Sequence, residues 1–471
     1  MTEDPLALLP ELFLAAAAVI GLLGGAFLPR SRQWLVALAA AVACVAGLAA
    51  TGVALSQPPR MVFGYSYAID TALGLGRIVV LAATLLVIAL SLETFRGHKR
   101  ESEFYVLLLL AALGAIGLTG ASDLLLLFAA YLLASVPLYA LAGFAKDAAG
   151  TEASLKYYLL GAFLGVLMLS GVTVLYGAGG ATSYRLLHDT LAHGPQGAVA
   201  VGLLFLLAGL LFKIGGVPSH FWVPDVTEGA PSPVAALVTT IPKIGGLAAL
   251  YRLATEVLTQ TSIDWRLLVA VLAALSMSLG NLAAFFQQNP RRLLAYSTIS
   301  QVGYILLAVA VAGRSDLALK ALLFYLAAYT VTNLGAFAVV IELPHAKTLA
   351  DYAGLARRRP WLAFVLIVCL LGLVGTPPTS VFFGKLTVFS AAIDGGYTWL
   401  AVVAVVNTVA SLFYYLRWIA PAFARAPADT EALAPAGRWA ASGAYAAGAA
   451  SLLLGLASGP VLHLAAGVLA R

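Results

Sequence analysis

Apolar stretches of about 20 residues follow one another along the whole chain, from Leu6 to Leu469, and no soluble fold has an interior large enough to hide them. Hydrophobic residues fill 62% of the 471 positions and charged ones only 10%, against about 25% charged in a soluble domain. The stretches are continuous rather than alternating apolar with polar, which excludes a membrane barrel and leaves transmembrane helices. The formal charge of +6 is scattered through short loops instead of being gathered in a groove, which argues against a nucleic-acid partner. Cys44 and Cys369 lie in separate apolar runs with no CxxC spacing or neighbouring histidine, so they read as core residues. The opening segment carries Glu3, Asp4 and Glu11 and lacks a basic start, which favours a first transmembrane helix over a cleaved leader.

Taking apolar runs between charged or Pro/Gly breaks predicts spans at 6–28, 34–55, 73–95, 104–120, 122–145, 154–178, 198–221, 231–255, 266–286, 293–313, 317–342, 361–392, 397–420 and 440–469. That is an all-α membrane protein of about fourteen helices. The odd-numbered loops hold most of the basic residues, among them Arg30, Arg96, Arg291, Arg357 and Arg438. The positive-inside bias then places those loops in the cytoplasm and both termini on the opposite face of the membrane. No linker divides the chain, so residues 1–471 read as one polytopic domain, with 57–70, 179–196 and 424–439 as its longest polar segments.

Within that domain the pattern 155–163 (LKYYLLGAF) has an echo in Leu319-Lys320-Ala321-Leu322-Leu323 followed by Leu334-Gly335-Ala336-Phe337. A second echo pairs a helix bearing Lys213 and Pro218 with one bearing Pro377, Pro378 and Lys385. The offsets, about 164 residues from Lys156 to Lys320 and about 172 from Lys213 to Lys385, each span five helices, and an odd number forces the copies into opposite orientations, the inverted-repeat plan of many transporters.

Ionisable groups in a bilayer are costly and mark ion paths or pairs. Lys213, Lys243 and Lys385 sit in apolar stretches with no carboxylate nearby in sequence. Burial disfavours the charged ammonium, so a lysine there can release and regain a proton, as a relay requires. The alternative, snorkelling of the head group to the interface, applies more to Lys156 and most to Lys320, which is close to Arg314 and Asp316. Pro218, Pro242, Pro377 and Pro378 favour the relay. Each removes a backbone donor, and freed carbonyls in a membrane are tolerated only beside a cavity or another protein group. His220, seven residues after Lys213, is a candidate next station, or else a satisfied core histidine. Asp225 and Glu228 form a short acidic segment that either gates protons or solvates a turn. No phosphate-binding loop, nucleophilic triad, iron–sulfur spacing or dinucleotide fingerprint occurs, so redox chemistry falls to other chains.

The stretches 211–234 (LFKIGGVPSHFWVPDVTEGAPSPV), 155–163 (LKYYLLGAF), 292–304 (RLLAYSTISQVGY) and 375–385 (GTPPTSVFFGK) together resemble the subunit N family of bacterial NADH-quinone oxidoreductase, respiratory complex I, within the antiporter-like superfamily. The resemblance covers nearly the whole chain and implies fourteen helices with two inverted five-helix repeats, helices 4–8 at about 104–255 and helices 9–13 at about 266–420, the seventh and twelfth being broken. It implies proton-translocation roles for Lys213, Lys243, Lys385, His220 and Lys156, with no cofactor in this chain. NADH, FMN, iron–sulfur clusters and quinone would belong to partner subunits of the complex. Two other functions share the pattern: a subunit of a multisubunit sodium/proton antiporter or membrane-bound hydrogenase, and a non-pumping scaffold of complex I. The chain departs from the family on helix five, where Leu132 stands at the position of the usual glutamate, five residues before Pro137.

Overall fold

At five of the apolar runs an aspartate or asparagine stands one residue before the helix, and this fixes the helix start there. Asp70, Asp123, Asp147, Asp264 and Asn289 each accept hydrogen bonds from N–H groups of the first turn that follows, donors no intrahelical carbonyl can satisfy. The structure, a computed structural model, describes residues 4–425, 433–467 and 469–470. Glu3, most of the first half of the predicted 424–439 loop and residue 468 of the last predicted span lie outside the described residues.

The chain runs through α1 (Leu9–Phe27), α2 (Trp34–Leu55), an antiparallel hairpin of β1 (Arg60–Val62) and β2 (Tyr67–Ile69), α3 (Thr71–Phe95), α4 (Glu101–Gly120), α5 (Leu124–Leu133), α6 (Val136–Ala142), α7 (Ala148–Gly179), α8 (Tyr184–Thr190) and α9 (Gln196–Ile214). It continues with α10 (Trp222–Gly229), α11 (Ser232–Glu256), α12 (Trp265–Ala284), α13 (Pro290–Ala310), α14 (Ala318–Glu342), α15 (Leu355–Arg358), α16 (Pro360–Val374), α17 (Ser380–Asp394), α18 (Thr398–Phe423), α19 (Arg438–Leu456) and α20 (Ser458–Leu464). Among the described residues, 13 helical stretches are long and apolar enough to cross a membrane, α5 with α6 counting as one. A further apolar helix, α16, has only 15 residues. The hairpin, at the predicted polar segment 57–70, is the one sheet among the described residues, with Arg60 opposite Ile69 and Val62 opposite Tyr67.

Four predicted spans are interrupted. The stretch 122–145 stops at Leu133 and resumes at Val136, because Pro137 has no N–H to give the Leu133 carbonyl four residues back. The stretch 198–221 ends at Ile214, and 361–392 is divided between Val374 and Ser380. The last predicted span, 440–469, turns at Ala457 between α19 and α20.

α11, α13 and α14 form the buried centre, while α1, α2, α7, α18 and α19 keep much of their apolar surface outward. Paired glycines let α11 sit there. A Cβ at Gly245 would run into the Ala115 carbonyl of α4, and one at Gly246 would lie 2.6 Å from Ile214 Cγ2 at the end of α9. α9 and α4 are thus drawn against the helix that carries Lys243.

Candidate functional site

α9 ends at a glycine with positive φ: Gly215, at +74°, donates to Phe212 O, and Gly216 donates to Leu211 O. The indole of Trp222 reaches back from α10 and donates to the same Phe212 carbonyl at 3.1 Å. This places Lys213 in the last turn, fully buried. Its ammonium donates to the Ser135 hydroxyl and stands 4.8 Å from the centre of the Tyr131 ring. Ser135 lies in the gap between α5 and α6 and donates to Tyr131 O at 2.5 Å. The interruption caused by Pro137 therefore supplies the polar group that receives Lys213.

Lys243 follows Pro242 inside α11 and is also fully buried. Its Nζ has no hydrogen-bond partner among the described residues, faces the Trp222 ring at 5.6 Å, and is near enough to Lys213 for the two charges to repel. His220 occupies the segment between α9 and α10, half-buried, its ring 4.4 Å from that of Phe221 and its Nδ1 enclosed with no hydrogen-bond partner among the described residues.

Lys385, on α17, meets the end of α16, where all four terminal carbonyls are accounted for. Leu371 O accepts from Thr376, Gly372 O from Gly375 N–H, Leu373 O from Gln301 Nε2 at 2.8 Å, and Val374 O from Lys385 Nζ at 2.9 Å. An ammonium at a helix C-terminus is favourably placed against the helix dipole. Thr408 accepts a second, longer bond from Lys385 at 3.3 Å, and the Tyr304 ring centre is 4.0 Å away. Gly375, at φ +93°, leaves room for the lysine stem, since a Cβ there would sit 2.9 Å from Lys385 Cδ.

Buried hydroxyls and amides lie between the two lysine sites. Tyr329 OH donates to Thr239 O, four residues before Lys243, and shares a hydrogen bond with Thr298. Asn333 donates to Thr239 Oγ1, and Tyr325 OH donates to Gln301 Oε1. Thr298, Gln301 and Tyr304 recur at intervals of three on α13, so one helix face presents them together.

Lys156 is elsewhere. Its side chain is 45% exposed and pairs with Glu152 at 2.7 Å and with Asp225 at 2.8 Å. Asp225 and Glu228 belong to the helix α10 rather than to a loop, and Arg292 donates to both, at 2.9 and 2.8 Å. Leu132 is 42% exposed on the outer face of α5, and its neighbour Tyr131 is the residue turned toward Lys213.

Two buried ionic clusters were missed by reading the sequence. Arg77 pairs with Glu11 at 2.7 Å, and Glu11 also accepts from Tyr67 OH. Arg252 pairs with Asp70 at 2.8 Å and with Glu256 at 2.7 Å, and Ser122 donates to Glu256. The only signal was an arginine within each of two apolar runs. Both clusters bring cation and carboxylate together, as buried charges require. Lys213, Lys243 and Lys385 differ in making no ion pair among the described residues. Among those residues no three His, Cys, Asp or Glu side chains converge in a way that could hold a metal ion.

Residues 121–413 match the family described as NADH:quinone oxidoreductase/Mrp antiporter, transmembrane. The chain is 57% identical to NADH-quinone oxidoreductase subunit N 1 of Streptomyces griseus and 53% identical to subunit N of a Mycobacterium species, covering 98% of both chains in each case. Among solved structures it is similar to a chain of respiratory complex I from Thermus thermophilus, with a TM-score of 0.84 and 35% identity over 98% of this chain and 100% of that one. A chain of the Mrp complex from a Dietzia species, at 24% identity and TM-score 0.87 over 98% and 96% of the two chains, shares the fold.

Proposed function

The chain belongs to the subunit N family of NADH-quinone oxidoreductase, and from that footing we propose that its buried lysines carry protons across the membrane arm of complex I. It is a multi-pass subunit of a translocase. The observation that carries the proposal is the burial of Lys213 and Lys385 at helix ends, each held by hydroxyl or carbonyl oxygen and by no carboxylate among the described residues. A buried paired charge is fixed, whereas a buried ammonium held by neutral oxygens can give up its proton without leaving an orphaned anion behind.

In this reading protons arrive at the cytoplasmic face by way of Lys156, pass His220 to Lys213 and Lys243, and cross the hydroxyl-rich centre to Lys385. Lys213 and Lys243 repel when both are charged, so loading one favours unloading the other. That repulsion takes the place of the glutamate the family carries on helix five. α9 with α10, and α16 with α17, each count as one broken crossing, which brings the total to about fourteen. The two groups of five helices, about 104–255 and about 266–420, are inverted copies within the single domain 1–471. Both termini face the periplasm, and NADH, FMN, iron–sulfur clusters and quinone are handled by partner subunits. Cysteine labelling at position 357 from the cytoplasm only, and at 194 from outside only, tests the orientation.

The experiment for the path is NADH-driven proton uptake by inside-out vesicles. Lys385→Ala should lower it about tenfold or more in an assembled complex, and Lys385→Arg should fail as well, because arginine keeps its proton. Wild-type uptake by both variants would instead support a scaffold that passes coupling between neighbours, a reading favoured by the outward-facing Leu132.

A further inference from the structure

The lysine path leaves Asp225 and Glu228 without a role, although together they fasten a very short helix to neighbours on both sides. α10 has eight residues, too few to be stable alone, so its place is set by what holds it. α7 holds it through adjacent residues: Lys156 donates to Asp225 Oδ2 at 2.8 Å, and Tyr157 stacks on Trp222 with ring centres 4.2 Å apart. Gly229 packs against the α7 backbone, where a Cβ would come within 2.7 Å of Ala149 O. α13 holds the other side. Arg292 NH1 donates to Asp225 Oδ1 at 2.9 Å and to Glu228 Oε2 at 2.8 Å, Asn289 donates to Glu228 Oε1 at 3.0 Å, and Arg291 donates to Ala230 O at 2.9 Å. Asp225 alone accepts a cation from each of the two flanking helices.

One turn before Asp225, the same helix carries Trp222, whose indole caps Phe212 O beside Lys213 and faces Lys243. We infer that Asp225 is a positioning residue: by bridging Lys156 of α7 and Arg292 of α13, it sets where Trp222 and His220 stand against the lysine pair. The inference rests on the proton-carrying reading above. Half-exposed pairs contribute little to stability, so the bridge's effect falls on the setting of α10 rather than on folding. A change in either cation's hold on Asp225 moves α10 and with it the indole that caps Phe212 O and faces Lys243. Surface charge is thereby coupled to the buried path through one rigid turn.

The test uses the assembled complex in inside-out vesicles and reads protons moved per NADH oxidised, together with the melting temperature. Asp225→Asn should lower the ratio about fivefold with melting unchanged, and Asp225→Glu, which keeps the charge, should retain at least about half. An unchanged ratio in Asp225→Asn, equal failure of Asp225→Glu, or a fall in melting that tracks the loss of pumping would overturn the assignment. If Lys213→Ala also pumps normally, the lysine path itself is at fault. If Lys213→Ala fails while Asp225→Asn does not, only the bridge is.

Discussion

Replacing Lys213 by methionine, an unbranched side chain of similar length, separates what the lysine does for function from what it costs in stability. Lys213 is fully buried and, among the described residues, has one hydrogen-bond partner, the Ser135 hydroxyl. Its loss removes a hydrogen bond from a charged group, about 1.5–3 kcal/mol, and a contact with the Tyr131 ring, about 0.5–2 kcal/mol. Ser135 is not left with an orphaned donor, because its hydroxyl already donates to Tyr131 O at 2.5 Å. Against these losses stands the desolvation penalty of a buried ion, several kcal/mol after relaxation, which the methionine does not incur. Repulsion from Lys243 is relieved too. The balance is a gain of about 0–2 kcal/mol in stability, while proton uptake driven by NADH should fall about tenfold or more. The assay is thermal melting of the purified complex beside dye-monitored uptake in inside-out vesicles. Uptake within about twofold of wild type, or a stability loss beyond about 2 kcal/mol, would refute the reasoning, since either would mean that the ammonium holds the structure rather than moves protons.

Other substitutions probe the surroundings of the path. Gln301→Leu strips the donor from Leu373 O and the acceptor from Tyr325 OH, two buried groups worth about 1–3 kcal/mol each, so denaturation should report a loss of about 2–5 kcal/mol. Arg252→Met strands Asp70 and Glu256 at about 3–5 kcal/mol; native gels should show poor assembly, partly restored by adding Asp70→Asn. Gly215→Ala forces a left-handed residue, about 1–2 kcal/mol, and drives a Cβ to 2.8 Å from Val223 Cγ2, so melting should drop, whereas Gly197→Ala, with open space around it, should raise stability by about 0.5–1 kcal/mol.

The helices were legible because a membrane demands long apolar runs, and each predicted span corresponds to a helix or to a pair of helices in the structure. The gaps before α10 and α17 lie beside Pro218 and Pro377, residues that already stood out. The gap at Ser135 had only Pro137 as a signal, and without it the facing of α5 cannot be read. One residue along a helix is a turn of about 100°, enough to exchange the inward Tyr131 for the outward Leu132. Partners far apart in sequence were out of reach for another reason. Lys156 and Asp225 are 69 residues apart and Arg252 and Asp70 are 182 apart, and no local pattern encodes which distant charge will face which. The charges that gather around Lys156, itself a relay candidate from its position in the sequence, were likewise not legible: its side chain lies in a half-exposed cluster with Glu152 and Asp225.

α7 has 32 residues and so measures about 48 Å at 1.5 Å per residue, well over the roughly 30 Å of a bilayer's hydrocarbon. Its first turns carry Glu152 and Lys156, leaving Tyr157–Gly179 as the apolar length, about 35 Å. A rod of that length fits only by leaning or by thickening the lipid around it. Membrane thickness therefore has a mechanical handle on this subunit: thinner lipid tips α7 further, and its grip on Asp225 and Trp222 turns that tilt into torque on α10.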